Sequence, residues 1–276
     1  MLPAAGYSAP VSTTPDSRPT LADGLRFAFG TLTVLPVRVP RWDREAARTG
    51  MLCASVAGLV VGLASAALGG LLLFLGAGAL LAAVASVAVP AVLTRGLHLD
   101  GLADTADGLG SGKPAEDALR VMKQSDIGPF GVITLVFVLF AQVAALAQLY
   151  GDSWARGALA TTVSATTARL ALTLAARTGV PPARPDGLGA AVAGVVPVRG
   201  AMIAAVTLAL AAAGVGAFRG PYDAIHTALA VLATLVVAEL LLRHCVRRFG
   251  GVTGDVFGAL AETAATTALV ILTFAF

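Results

Sequence analysis

The chain has 276 residues, 57% of them hydrophobic and only 13% charged, with a net charge of +3. That composition lies outside the range of soluble globular domains and predicts an all-α integral membrane protein, with no feature that asks for a nucleic-acid partner. Cys53 and Cys245 have no CxxC context, which excludes both a disulfide framework and a cysteine zinc site.

Residues 1–20, rich in Pro, Ser and Thr, read as a disordered tail with none of the organisation of a cleavable signal. Residues 21–276 read as one polytopic catalytic domain in the bilayer. Leu21 to Val37 is too short to cross comfortably and is expected as an interfacial or re-entrant helix, closed by Pro36 and Pro40. Arg38, Arg41, Arg44 and Arg48 around Trp42 then mark a segment on the membrane surface. Seven spans are predicted, at about 51–75, 79–94, 132–149, 157–176, 201–218, 225–242 and 256–274. In the first, Gly58, Gly62, Ser65 and Gly69 recur every three or four residues and make a face suited to close helix packing. With the N-terminus inside, every one of the 19 Lys and Arg residues except Arg156, Arg219 and Arg169 falls on the cytoplasmic side, as the positive-inside rule requires.

Three polar stretches interrupt this apolar pattern. Between the second and third spans stands R-G-L-H-L-D-G-L-A-D-T-A-D-G-L-G. If it is helical, Asp100, Asp104 and Asp107 at i, i+4 and i+7 share a face, and their mutual repulsion asks for a cation. Hard oxygen donors of this kind suit Mg²⁺ holding a phosphate or diphosphate. His98 sits two residues earlier, as a base beside the metal or as an interfacial residue. The second stretch, V-M-K-Q-S-D-I-G-P-F-G, offers Lys123, Ser125 and a glycine-rich break whose amides suit a phosphate. The third, R-R-F-G-G-V-T-G-D-V-F-G-A-L-A-E, reads equally well as a phosphate nest built on Gly250, Gly251 and Thr253, or as a plain turn with Asp255 capping the next helix. Glu262, on the same face as Asp255 and inside a span, needs a polar partner. Arg169, also within a span, is expected to meet either an acid on another helix or a substrate phosphate. Glu239 has a ready partner in Arg243 at i+4.

Taken in this order, the three stretches resemble those of the cobalamin synthase family, adenosylcobinamide-GDP ribazoletransferase, from about Leu21 onward. The resemblance implies a Mg²⁺-dependent enzyme of the cytoplasmic membrane that joins adenosylcobinamide-GDP to α-ribazole or its 5′-phosphate and releases GMP. It implies Asp100, Asp104 and Asp107 as metal and diphosphate ligands, with His98 beside them. Lys123, Ser125, Gly250, Gly251, Thr253, Asp255 and Glu262 are the implied substrate-binding residues, and the 5′-hydroxyl of α-ribazole the expected nucleophile. This chain reads K-Q-S-D-I-G where the family pattern has K-D-S-R-I-G, so Gln124 and Asp126 are given no role. Two other readings remain: a CDP-alcohol phosphotransferase, whose spacing of acids differs, and a secondary transporter using Arg169, Glu239 and Glu262, for which no internal repeat is visible. Oligomerisation is left open.

Overall fold

A computed structural model describes residues 18–274, so most of the proposed N-terminal tail lies outside the described residues. Helix α1 (Leu21–Leu32) starts at a capping box in which Thr20 and Asp23 satisfy each other's backbone amides. It packs Phe27 and Leu32 inward against α2 (Arg44–Leu52), whose N-cap is Asp43. These two short helices are the predicted surface segment.

A helix stands at each of the seven expected spans: α3 (Ala54–Phe74), α4 (Ala79–Leu93), α7 (Pro129–Asp152), α8 (Trp154–Ala175), α10 (Val198–Ala217), α11 (Pro221–Phe249) and α12 (Gly254–Thr273). Five of them, α3, α7, α10, α11 and α12, are long and apolar enough to cross a membrane by themselves, and the chain is a multi-pass membrane protein. The two exceptions have physical causes. Helix α4 has 15 residues and is followed, after an 88° bend, by α5 (Leu97–Gly110), so the pair counts as one span only if taken together. We read α4 as the crossing part and the acidic α5 as lying off the crossing direction. Helix α8 is rich in Thr and Ser and is buried along most of its length. Its hydroxyls are bonded within the bundle, Thr167 to the Val163 carbonyl of its own helix and Ser164 to the Ala265 carbonyl of α12, so they need no water.

The small-residue face of α3 is used as expected. A Cβ on Gly58 would come within 2.5 Å of the Ala165 carbonyl oxygen, and one on Gly62 within 2.8 Å of the Thr162 Cα. Backbone-to-backbone approach of this kind lets α3 lie along α8. Ser86 of α4 joins the same seam, bonding the Ser65 carbonyl at 3.1 Å and lying 2.9 Å from the Tyr150 hydroxyl.

Two short helices, α6 (Ala115–Val121) and α9 (Gly187–Val192), sit in the connections. They lie at the end of the bundle that carries α5 and the start of α12. Arg156 and Arg219, the two basic residues expected on the opposite side, line one small cavity together.

Candidate active site

The corner before α5 is made by two successive left-handed residues, Arg95 (φ 53°) and Gly96 (φ 71°). A left-handed arginine is disfavoured by about 1–2 kcal/mol, and it occurs where α4 must turn to present α5. The condition set for the acidic stretch is met, since α5 is helical through all three aspartates, but their environments differ. Asp100 is exposed, Asp104 is half-buried and Asp107 is buried.

Asp107 Oδ2 accepts from the Gly128 amide at 2.8 Å, and its Oδ1 accepts from the Gly131 amide at 2.9 Å. Those are free first-turn donors of α7, and a carboxylate there is favoured by the helix dipole. A Cβ at either glycine would strike the carboxylate. The glycine break of the second motif is therefore a socket for Asp107, and the two amides expected to meet a phosphate are already engaged.

Asp104 faces a different field. Burial, then the charges of Asp100, Asp255 and Asp107, push its carboxyl up to about 7, with Arg184 acting in the other direction. Like charges gathered this way suit a divalent cation. Among the described residues no three His, Cys, Asp or Glu side chains converge on a single ion position. Mg²⁺ commonly takes one or two carboxylates and completes its shell with substrate phosphates and water, and Asp100 with Asp104 fit that demand.

Asp255 is not the N-cap of α12. Thr253 is, its hydroxyl accepting from the Val256 amide at 3.2 Å while donating to Asp255 Oδ2 at 3.1 Å. Asp255 is thus oriented toward the cavity, where Arg184 lies 3.9 Å away. Gly250 closes α11 in the left-handed region (φ 80°). Gly251 lies so close to residues 181–183 that any Cβ would meet their backbone, and Val252 pairs with Pro181 and Ala183. The two glycines serve a turn and a backbone contact. That contact brings the 184–189 segment to the site.

Lys123 is exposed and pairs with Asp186 at 3.6 Å. Ser125 lines a cavity of about 860 Å³ together with Arg95, Asp100, Asp104, Gln124 and Asp126. A second cavity, of about 280 Å³, lies on the other side of α5 and is lined by His98, Asp100, Arg184, Asp186, Thr253 and Asp255 among others.

Beneath the site runs a buried polar chain. Arg169 Nη2 lies 3.3 Å from His98 Nδ1. A guanidinium only donates, so Nδ1 accepts and the neutral ring carries its proton on Nε2. Burial, and then the charge of Arg169, hold His98 well below the ordinary histidine range. A neutral ring protonated on Nε2 and accepting at Nδ1 has no free site for a proton, which removes His98 from the base's role. Deeper in the bundle, Gln142 Nε2 donates to Glu262 Oε2 at 2.9 Å and to the Thr266 hydroxyl at 3.0 Å. Arg169 and Glu262 share a small cavity and feel each other's charge. Glu262 is thus part of the support behind the site, outside both cavities next to α5. Glu239 meets Arg243 at 2.7 Å, as expected, and also Arg177 at 2.8 Å.

Sequence reasoning missed Arg184, Asp186 and Gln142. The run R-P-D-G-L-G at residues 184–189 was a visible turn signal in an apolar chain. Gln142 carried no signal beyond being an amide inside a span.

Comparison with known proteins bears on the family of the chain as a whole. A family model described as cobalamin-5-phosphate synthase matches residues 24–273. The adenosylcobinamide-GDP ribazoletransferase of Frankia casuarinae is 46% identical over 264 residues, covering 89% of this chain and 93% of that protein. Those named the same in a Nocardioides species and in Corynebacterium efficiens are 41% and 38% identical, covering 90% and 88% of this chain and 97% and 88% of their own lengths. No solved structure matches the chain.

Proposed function

The chain belongs to the cobalamin-5-phosphate synthase family, and on that premise we propose that it is an adenosylcobinamide-GDP ribazoletransferase of cobalamin biosynthesis, working at the acidic face of α5. The observation that carries the reading is the gathering of Asp100, Asp104 and Asp255 beside Arg184 at one end of the bundle. A carboxylate cluster with a neighbouring cation is the equipment a diphosphate substrate needs.

Asp100 and Asp104 would hold Mg²⁺, which when bound neutralises charge on the diphosphate and on the departing GMP. Arg184 and Lys123 supply fixed positive charge at the same mouth. A ribose hydroxyl of α-ribazole attacks the phosphorus on the cobinamide arm. The new P–O bond forms to that oxygen, the bond to the bridging oxygen breaks, and its electron pair leaves with GMP. A carboxylate of the cluster takes the hydroxyl proton. For a phosphorylated acceptor the expected 5′-hydroxyl does not serve as the nucleophile, because that oxygen already carries the phosphate, and the family description, cobalamin-5-phosphate synthase, supports this reading. One of the remaining ribose hydroxyls is the attacking group.

The site faces the cytoplasm in this reading, which the charge distribution of the loops supports. Purified protein in lipid nanodiscs should release GMP only when adenosylcobinamide-GDP, α-ribazole or its phosphate, and Mg²⁺ are all present. GMP release without the ribazole acceptor would describe a hydrolase and defeat the proposal.

A further inference from the structure

A transferase with two substrates needs two seats that meet where the bond changes hands, and the structure has two cavities sharing a wall. Leu97 and Asp100 line both of them. The smaller, of about 280 Å³, is set among α1, α2, α5, α8, α9 and α12, with Leu32, Met51, Leu172, Val192 and Phe257 as apolar wall. Most of its polar groups, among them Asp100, Arg184, Asp186, Thr253 and Asp255, lie together at the start of α12 and on the neighbouring α5 and 184–189 segment. The larger, of about 860 Å³, lies between α5 and the segment before α7, edged by Arg95, Gln124, Ser125, Asp126 and Ile127. The residues 124–127 at its edge are all exposed.

Resting on the proposed activity, we infer that the smaller cavity seats the flat aromatic base of the ribazole acceptor and the larger one seats the corrinoid diphosphate, with Asp100 between them. Size and chemistry both separate the two. Small-molecule pockets run from roughly 300 to 1,000 Å³. A nucleoside with an uncharged, apolar bicyclic base matches the lower end and an apolar wall, whereas a corrin ring carrying a nucleotide is too large to be enclosed by either cavity and suits only the wider one, whose polar edge is exposed. Asp100 then stands where the acceptor's hydroxyl meets the phosphorus.

Steady-state kinetics with each substrate varied in turn tests this. Thr31→Phe and Leu188→Phe, two partly exposed positions on the small cavity, should raise KM for α-ribazole about tenfold and change KM for adenosylcobinamide-GDP by less than about twofold. Gln124→Trp and Ile127→Trp, both exposed on the large cavity, should do the reverse. The opposite split, or variants of either cavity raising both KM values equally, would overturn the assignment. Equilibrium binding of α-ribazole without turnover separates this inference from its parent. Binding weakened in Thr31→Phe and Leu188→Phe but kept in Gln124→Trp supports the seat even if the unsubstituted protein releases no GMP. Binding unchanged in the first two removes it.

Discussion

Arg169 lies with Nη2 3.3 Å from Nδ1 of His98, a contact between the buried centre of α8 and the start of the acidic helix α5. Because an arginine has no acceptor, this one contact fixes the tautomer of the imidazole and links the core of the bundle to the chemistry at its end. Nitrogen-15 spectra of histidine-labelled protein, assigned by loss of one signal in His98→Gln, should show a neutral ring protonated on Nε2. Since burial and Arg169 lower its pKa, that state should persist as pH falls through the ordinary histidine range. A ring that becomes doubly protonated near that ordinary value would refute the arrangement.

Asp107 and Asp104 should separate when each is replaced. Asp107 caps α7 through two amides, so Asp107→Ala leaves one buried and one part-buried donor bare. It should lower stability by about 1–3 kcal/mol, read as a fall in the thermal midpoint in detergent, with Asp107→Asn intermediate. Asp104→Asn should leave the midpoint unchanged or slightly raised, because it removes a repelled charge.

Metal affinity should depend on pH in a defined direction. With its carboxyl pushed up to about 7, Asp104 is largely protonated below that pH, and a cation must displace the proton. Mg²⁺ should therefore bind more tightly as pH rises from 6 to 8 and release protons on binding, measured by calorimetry in buffers of different ionisation enthalpy. Affinity that falls over this range would contradict the placement of Asp104.

The seam between α3 and α8 should tolerate no side chain. Gly58→Ala puts a methyl against the Ala165 carbonyl and should cost about 1–3 kcal/mol, whereas alanine at Gly70, which has open space around it, should be neutral or slightly stabilising.

Sidedness is open to a labelling test. A membrane-impermeant thiol reagent should reach Arg219→Cys in intact cells and reach Lys113→Cys only after lysis.

Much of this architecture was legible in the sequence. Helices at the seven expected spans and the glycine face of α3 follow from hydropathy and spacing, which are local signals, although only five of those helices are long and apolar enough to cross alone. The shared face of the three aspartates followed from their i, i+4, i+7 spacing once the stretch is helical, but their division of labour did not. Whether an aspartate meets a cation or a helix end depends on which element lies opposite, and the Asp107 socket in α7 is a tertiary fact. The same holds for Gly250 and Gly251, whose pattern fits a phosphate nest while their packing against residues 181–183 gives them another use. Arg184 was invisible for the converse reason: only that packing carries it to Asp255.

The central claim is that the carboxylates of α5 perform the transfer. Its most direct test is GMP release by Asp104→Asn in nanodiscs, with both substrates and saturating Mg²⁺ and with the thermal midpoint measured on the same sample. The account predicts loss of at least about 10²-fold in rate with an unchanged midpoint. Full activity in a stably folded Asp104→Asn protein would contradict it.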